Sequence, residues 1–321
     1  MKPLVSVTTI TYNHASYIRL CIEGILMQRT TFPFELVIGE DCSTDGTREI
    51  VLDYAQKYPE IIRVITTESN VGGQKNLNRT ILACQGKYIA ICEGDDYWTD
   101  PDKLQKQVDF LENHPDYSMC CHASRIINDD DENQTELVRL ADTDKTFTLD
   151  DFLAPISKNF LRTETVVYRC EMVRELPEWY QHIFVGDYPL FLLLAYHGKI
   201  RYLDQVMSVY RRHGGGAWST NIRNAEFQEG YYLSSIDMYQ AFDEYTDHKY
   251  HDKILKRIPY RYYQLIDKSS ISEANSRKYL WKYWNKIPGH LLPKVISRLY
   301  LKPLLRWIRI HLNQINSRIT G

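Results

Sequence analysis

The chain has 321 residues, of which 44% are hydrophobic and 25% charged. That is enough for one large α/β domain with an appendage, and the composition is that of a soluble globular protein. No run of about 18 uninterrupted apolar residues is present, so no membrane-spanning helix is expected. Seven scattered cysteines without CxxC spacing speak against a zinc site or a disulfide framework and for a reducing, cytoplasmic compartment. The opening Met1-Lys2-Pro3 leads straight into a β-like run, so no signal peptide is expected. Net charge is −2, yet residues 249–321 hold 16 basic and 3 acidic residues. An acidic body therefore carries a basic tail.

In chain order, residues 4–11 form a β-branched run that predicts a buried strand. Apolar spacing through Ile18, Ile22, Ile25 and Leu26 predicts a helix over 15–28. A second strand is expected at 34–39 and a helix at 44–57, with Ser43, Thr44 or Asp45 as its N-cap. A third strand at 61–66 precedes the turn Asn70-Val71-Gly72-Gly73 and a helix over 74–84. A fourth strand spans 87–92, and Asp100-Pro101 reads as cap and first residue of the next helix. A fifth strand is expected at 119–127, then an acidic surface loop at 128–136. Strand–helix alternation of this kind predicts a mostly parallel, Rossmann-like sheet flanked by helices. Such sheets bind ligands beyond the carboxyl ends of their strands. Tyr12, Glu40, Asp41, Glu93, Asp95 and Asp96 all fall at that edge.

Three clusters carry chemistry. Neighbouring carboxylates in Glu93-Gly94-Asp95-Asp96 point to opposite sides and suit two ligands, a ribose hydroxyl and a divalent metal. All-oxygen ligation favours Mg²⁺ or Mn²⁺. Asp41, after the second strand, stands where a base or ribose is read by hydrogen bonding. Asp45 reads as a helix-terminus carboxylate. Thr11-Tyr12-Asn13 ends the first strand with an aromatic ring that can stack on a base. No GxGxxG follows, so a dinucleotide fold is not supported. Further on, Gly186-Asp187 and Tyr210-Arg211-Arg212-His213 stand out. Gly214, Gly215 and Gly216 lead on to Trp218, so 210–219 reads as a mobile loop.

The order VSVTTITYN, GEDCSTDGT, NVGG and GDDYW resembles the family-2 inverting glycosyltransferases of GT-A fold. With the Gly186-Asp187 and His213 segments the resemblance covers about two thirds of the chain. It implies a catalytic domain over 1–223, divided into a nucleotide-sugar half (1–127) and an acceptor half (128–223), with a basic helical extension over 224–321. By the resemblance, Thr11, Tyr12, Asn13, Asp41, Lys75 and Asp95 bind the donor, with Tyr12 on uracil and Asp95 on ribose. Asp96 and His213 hold Mn²⁺ or Mg²⁺. Arg211, Arg212 and Trp218 close on the diphosphate, and Asp187 is the catalytic base. One departure stands out: the family's Arg-Asn pair after the glycine turn is replaced by Leu77-Asn78, with Lys75 as a substitute charge. The implied reaction moves a sugar from a nucleotide-sugar, a UDP-sugar, to a glycan or lipid-linked acceptor in surface polysaccharide assembly.

In the tail, Leu292, Ile296, Tyr300, Leu304, Ile308 and Leu312 recur every four residues beside a basic row, with Pro303 as a kink. Either that row packs on the catalytic domain or the helix lies peripherally on the anionic inner face of the cell membrane. No nucleic-acid motif accompanies the charge. Two other functions compete. A nucleotidyltransferase needs a Gly- and Lys/Arg-rich phosphate loop after the first strand, which Thr11-Tyr12-Asn13-His14 does not supply. A non-catalytic nucleotide-sugar or glycan scaffold would not need Asp95, Asp96 and Asp187 together.

Overall fold

The computed structural model describes residues 2–129, 131–154, 161–184, 186–216, 224–267 and 272–305. These group into two compact units, 1–216 and 217–321. In the first, β1 (Val5–Thr11), α1 (Ile18–Leu26), β2 (Phe34–Glu40), α2 (Thr47–Lys57), β3 (Ile62–Ile65), α3 (Gly73–Ala83) and β4 (Tyr88–Ile91) alternate as the sequence predicts. They are followed by β5 (Tyr97–Trp98), α4 (Lys103–Asn113), β6 (Tyr117–Asn128), β7 (Asp131–Val138) and β8 (Lys145–Phe147). The unit closes with α5 (Leu149–Leu153), β9 (Val167–Arg169), α6 (Asp187–His197) and β10 (Lys199–Arg212).

The strand order is β3-β2-β1-β4-β9-β6-β10-β5, with β7 beside β6 and β8 beside β10. Strands β1 to β4 pair in parallel, and β9 enters antiparallel between β4 and β6. The sheet is mixed but mostly parallel. β2 lies on one side of β1 and β4 on the other, so the strand order reverses at the β1–β4 junction. That junction is where open α/β sheets leave a crevice for ligands. Val5, Val7, Leu36, Ile38 and Ala90 are fully buried, as strands covered on both faces require.

Three local expectations are corrected. Residues 128–136 are not a surface loop: β7 folds back on β6 as an antiparallel hairpin, pairing Ile126 with Glu136 and Ser124 with Val138. Its polar composition fits a strand whose outer face meets water, a pattern that reads as loop by polarity alone. The helix after Asp100 begins at Lys103 rather than at Pro101. The Asp100 carboxylate accepts the Asp102 N–H at 2.8 Å and forms a turn ahead of it. Likewise α2 begins at Thr47, where the Asp45 carboxylate accepts both the Thr47 N–H and its hydroxyl.

Beneath β5 lies a buried polar network. Trp98 donates its indole N–H to the Glu164 carbonyl at 2.9 Å. The Lys103 ammonium sits 4.0 Å from the Trp98 ring centroid and donates to Gln107 at 2.9 Å. Gln107 in turn donates to the carbonyls of Cys120 and Thr165. Lys103 is fully buried, and loss of hydration pushes its ammonium from 10.5 down to about 7.

The second unit holds α7 (Ala225–Tyr245), α8 (His251–Asp267), α9 (Glu273–Tyr283) and α10 (Leu292–Ile296). Its core gathers Tyr232, Leu265, Ile266, Tyr279, Leu280, Val295 and Leu299. α10 and the helical run after it bury Val295 and Leu299, while Ile296, Tyr300 and Leu304 of the four-residue row are exposed. A π-helical turn over Ser297–Leu301 comes just before Pro303, whose ring cannot pair with the carbonyl of residue 299. That Leu299 carbonyl accepts instead from the Arg277 guanidinium. Ile308 and Leu312 lie outside the described residues, and no described helix is long and apolar enough to cross a membrane.

The buried ammonium yields a pH prediction. The unfolded chain holds the Lys103 proton up to about pH 10.5, whereas the folded chain releases it from about pH 7. Across that window the unfolded state binds more protons, so stability rises with pH. Urea unfolding of Lys103→Met should lack this rise relative to the parent. Equal pH slopes in the two proteins would remove Lys103 as the cause.

Candidate functional site

Three loops meet at the carboxyl edge of β1, β2 and β4. Asn13, at φ 56°, turns the chain sharply after β1. Its N–H donates to Ser43 and its side-chain oxygen accepts from the Thr44 N–H, both near 3 Å. The N–H groups of His14 and Ala15 donate to Thr47 and Asp45. The loop after β1 is thereby fastened to the loop after β2, leaving Tyr12 43% exposed at the rim.

Asp41 is 1% exposed, and both of its oxygens are engaged. One accepts the Val71 N–H at 2.9 Å and the Thr67 hydroxyl at 3.3 Å; the other accepts the Gly72 N–H at 3.0 Å. Hydrogen bonds to a charged acceptor contribute about 1.5–3 kcal/mol each, so Asp41 pins the glycine turn that opens α3. Three of the acceptor positions of Asp41 are thus committed to the loop between β3 and α3. Gly72, at φ 88°, is the residue that lets the turn form. Lys75, in the first turn of α3, is exposed. Sequence reasoning missed Arg79, one turn further on, which donates to Asn76 and to the carbonyls of Thr66 and Glu40.

After β4, Gly94 passes directly against the first loop. A Cβ there would lie 2.8 Å from the Thr11 hydroxyl and 3.0 Å from His14 Nδ1. This close passage brings Asp95 to His14 and to His213, which follows β10. His213 Nε2 is 3.1 Å and His14 Nε2 is 3.9 Å from the same Asp95 oxygen. The ligand atoms of His14, Asp95 and His213 all lie within 4.8 Å of one another. Asp96 is not in this group. It is 2% exposed and accepts the Arg211 N–H at 2.8 Å. The expected division gave the metal to Asp96 and the ribose to Asp95, yet in the geometry it is Asp95 that lies beside the two imidazoles. Adjacent residues point to opposite sides, and it is Asp95 that meets both imidazoles.

The electrostatics follow from crowding. Burial first, then the neighbouring charges of Asp95, Glu164 and Glu93, push Asp96 well above the usual carboxylate range. Glu93 is raised to about 8, chiefly by burial and then by Glu164 and Asp95, against a lowering hydrogen bond from Thr163. Asp95 differs. Burial raises it, but the His213 hydrogen bond and the fields of both histidines hold it below its ordinary value. Buried polar atoms without protein partners face this region: Thr11 Oγ1, His14 Nδ1 and Glu93 Oε2. One carboxylate oxygen and two imidazole nitrogens fit a divalent cation, and the imidazoles favour Mn²⁺ over Mg²⁺.

The two arginines do not stand free. Arg211 is 7% exposed, pairs with Asp129 at 2.9 Å, and lies 4.9 Å from the Tyr17 ring centroid. Tyr17 in turn packs 4.6 Å from the His213 ring and donates to Asp129. Arg211 thus supports His213 from below. Arg212 points the other way and pairs with Glu136 of β7 at 3.1 Å. Side-chain alternation along β10 explains the split and corrects the expected diphosphate role of Arg212. Trp218 lies outside the described residues.

Asp187 opens α6 and accepts the Tyr188 N–H at 2.7 Å. Burial raises its carboxyl, with the Arg162 field opposing. Gly186 sits against Gln74 of α3 so closely that a Cβ would lie 2.3 Å from the amide oxygen. This contact brings Asp187 to the same turn that Asp41 pins. Arg162 also went unnoticed in the sequence. Its guanidinium lies 4.6 Å from the Tyr210 ring centroid, and its Nε is buried without a hydrogen-bond partner among the described residues. It stands in an unpatterned stretch, so no sequence signal marks it.

Comparisons with known proteins give the family and the fold. The model for glycosyl transferase family 2 matches residues 6–176. An uncharacterized protein of Mycobacterium tuberculosis (strain ATCC 25618 / H37Rv) is 39% identical over 214 residues, 66% of this chain and 60% of that protein. The chain therefore spans about three fifths of that relative's length. The putative teichuronic acid biosynthesis glycosyltransferase TuaG of Bacillus subtilis is 42% identical over 110 residues, 34% of this chain and 42% of that protein. Among solved structures, residues 1–349 of TarS from S. aureus, in complex with UDP-GlcNAc, align with a TM-score of 0.65 and 22% identity, covering 97% of this chain and 88% of that one. The mannosyltransferase PcManGT of Pyrobaculum calidifontis, in complex with GDP-Man and Mn²⁺, aligns at 0.55 and 18%, covering 99% and 87%. The fold is that of the GT-A glycosyltransferases.

The Gly94 contact makes a direct prediction. Gly94→Ala should keep its secondary structure by circular dichroism and bind Mn²⁺ at least about ten-fold more weakly by calorimetry, because its methyl displaces Thr11 and His14. Parent-like Mn²⁺ affinity would mean that the close passage does not set the ligand geometry.

Proposed function

Because this chain belongs to glycosyl transferase family 2, we propose that it transfers a sugar from a UDP-sugar to a hydroxyl of a glycan or lipid-linked acceptor, with inversion at the anomeric carbon. The observation that carries the reading is the convergence of His14, Asp95 and His213 at the β1–β4 junction. Thr11, Tyr12, Asn13 and Lys75 line the approach for the nucleotide, with the Tyr12 ring at the rim for the base. Asp95, His213 and His14 would hold a divalent cation, Mn²⁺ in preference to Mg²⁺. Bound there, it supplies positive charge against the diphosphate leaving group.

The chain's own residues do the rest. Arg162 takes the charge role first given to Arg211 and Arg212, since its Nε is buried without a hydrogen-bond partner among the described residues and its field reaches Asp187. Arg211 and Tyr17 keep the His213 ring in place. Asp187 takes the acceptor proton as the hydroxyl attacks opposite the leaving group, which inverts the configuration in one displacement. Its raised affinity for a proton makes it the stronger base for that step. The reading of an inert scaffold and that of a nucleotidyltransferase both predict no sugar transfer.

For the acceptor, the second unit supports a cytoplasmic protein bound peripherally to anionic membrane. Trp281 is 75% and Trp284 59% exposed, and Ile296, Tyr300, Leu304 and Leu305 are exposed on the following run. Lys278, Lys282, Lys286 and Lys302 are exposed among them. Exposed indoles with lysines around them match an interfacial surface. A lipid-linked acceptor, in surface polysaccharide assembly, is the substrate class that this reading implies.

Two experiments test these readings. Asp187→Asn should bind UDP-sugar with parent-like affinity yet lose turnover by about 10²-fold or more; unchanged turnover removes Asp187 from the chemistry. Trp281→Ser/Trp284→Ser should sediment with phosphatidylglycerol vesicles several-fold less than the parent, and binding of the parent should weaken with salt. Equal sedimentation of parent and variant would remove the membrane reading.

A further inference from the structure

The second unit holds a cluster of ligand-type side chains far along the chain from the catalytic motifs. Helices α7 and α8 are joined by a tight turn in which Asp247 and His248 take φ of 47° and 58°. The turn carries His248 back over the end of α7, where its N–H donates to the Asp243 carbonyl at 2.9 Å. His251 opens α8. As a result, two imidazole Nδ1 atoms converge on one carboxylate oxygen: Asp243 Oδ2 is 2.9 Å from His248 and 2.6 Å from His251. The rings are nearly perpendicular, at 88°, with centroids 5.7 Å apart.

Asp243 is 7% exposed, and its second oxygen, Oδ1, is buried without a hydrogen-bond partner. A buried carboxylate oxygen left unpaired costs about 1–3 kcal/mol or more. The histidine side chains are 64% and 49% exposed, so the open side of the cluster faces solvent. The three ligand atoms lie within 4.8 Å of one another.

We propose that Asp243, His248 and His251 form a second divalent-metal site, of transition-metal type, that ties α7 to α8. Two imidazole nitrogens and one carboxylate oxygen are the donor set of open tetrahedral zinc sites, which keep water in the fourth position. Around such an ion, neighbouring ligand atoms stand about 3.3 Å apart, given metal–nitrogen distances of about 2.0–2.1 Å. The present separations need to open by about half an ångström, which two solvent-facing rings allow. On binding, each imidazole transfers its Nδ1 proton to its own Nε2 or to solvent, and the nitrogen lone pair goes to the ion. No electron changes hands. The site needs neither donor nor acceptor substrate, so it is independent of the catalytic reading. Its consequence is mechanical: the ion fastens the helical hairpin beside the core formed by Tyr232 and Leu265.

The test uses the full chain and Zn²⁺ alone. Equilibrium dialysis should show one fewer equivalent of tightly bound Zn²⁺ in His248→Ala/His251→Ala than in the parent. Co²⁺ should give the parent a tetrahedral visible spectrum that the double variant lacks. His248→Ala alone changes a mostly exposed side chain, so it should fold normally and bind the second equivalent at least about ten-fold more weakly. Asp95→Ala should leave this equivalent in place while altering the other. Equal Zn²⁺ stoichiometry and equal Co²⁺ spectra in parent and double variant would overturn the proposal. The cluster would then be a hydrogen-bonded turn alone.

Discussion

Four carboxyl groups crowd one buried corner of this sheet: Glu93, Asp95, Asp96 and Glu164. Two like charges about 4 Å apart repel by about 4 kcal/mol even at an effective dielectric of about 20. They cannot all be ionised without compensation, and the structure resolves the conflict unequally. Burial drives Glu93, Asp96 and Glu164 toward protonation, and the fields of neighbouring carboxylates add to it at Glu93 and Asp96. Asp95 alone keeps its charge, because two imidazoles face it. The corner is a preformed negative site with a single ionised outlet, and that outlet opens at the β1–β4 crevice.

Much of the surrounding architecture holds this outlet in position. Gly94 allows the chain after β4 to touch Thr11 and His14. Gly24 does the same one layer away, where α1 meets Trp98; a Cβ there would lie 2.8 Å from the Trp98 carbonyl. Glu40 pairs with Arg48 and receives the Ser43 N–H, closing the loop after β2. Asp41 then holds the glycine turn at the head of α3, and Gln74 on α3 meets Gly186 beside Asp187. Each link is a short polar contact or a steric fit between loops that are distant in sequence. A change at one loop therefore propagates to the next without contact with substrate.

The N-terminal elements of the first unit were legible because parallel α/β sheets write themselves as apolar runs between capped helices, whereas no element between 137 and 212 was, and β10 extends through 210–212, which read as loop. Strands β1 to β4 and helices α1 to α3 follow from that pattern. β7 was not legible, since a strand with a wet face and acidic composition carries no apolar period. β9 escaped because three residues are too few to show one. Most of the site was legible as motifs, but the task of each residue was not. Asp41 stands in the expected place and also holds the turn that opens α3. Asp95 and Asp96 differ by one position, and only the backbone path past Gly94 decides which one meets the histidines. Arg162 and Gln74 have no motif and are identified by proximity alone. In the tail, a four-residue apolar row was visible, but the core takes Val295 and Leu299, which keep the same four-residue spacing one position out of register with the row.

The central claim is that the cation and donor meet at Asp95, not at Asp96. Calorimetry with UDP-sugars, with and without Mn²⁺, tests it on the parent, Asp95→Ala and Asp96→Asn. The account predicts Mn²⁺-dependent binding in the parent, its loss in Asp95→Ala, and its retention in Asp96→Asn, whose amide oxygen still accepts the Arg211 N–H. Mn²⁺-dependent binding that survives in Asp95→Ala and vanishes in Asp96→Asn would contradict it.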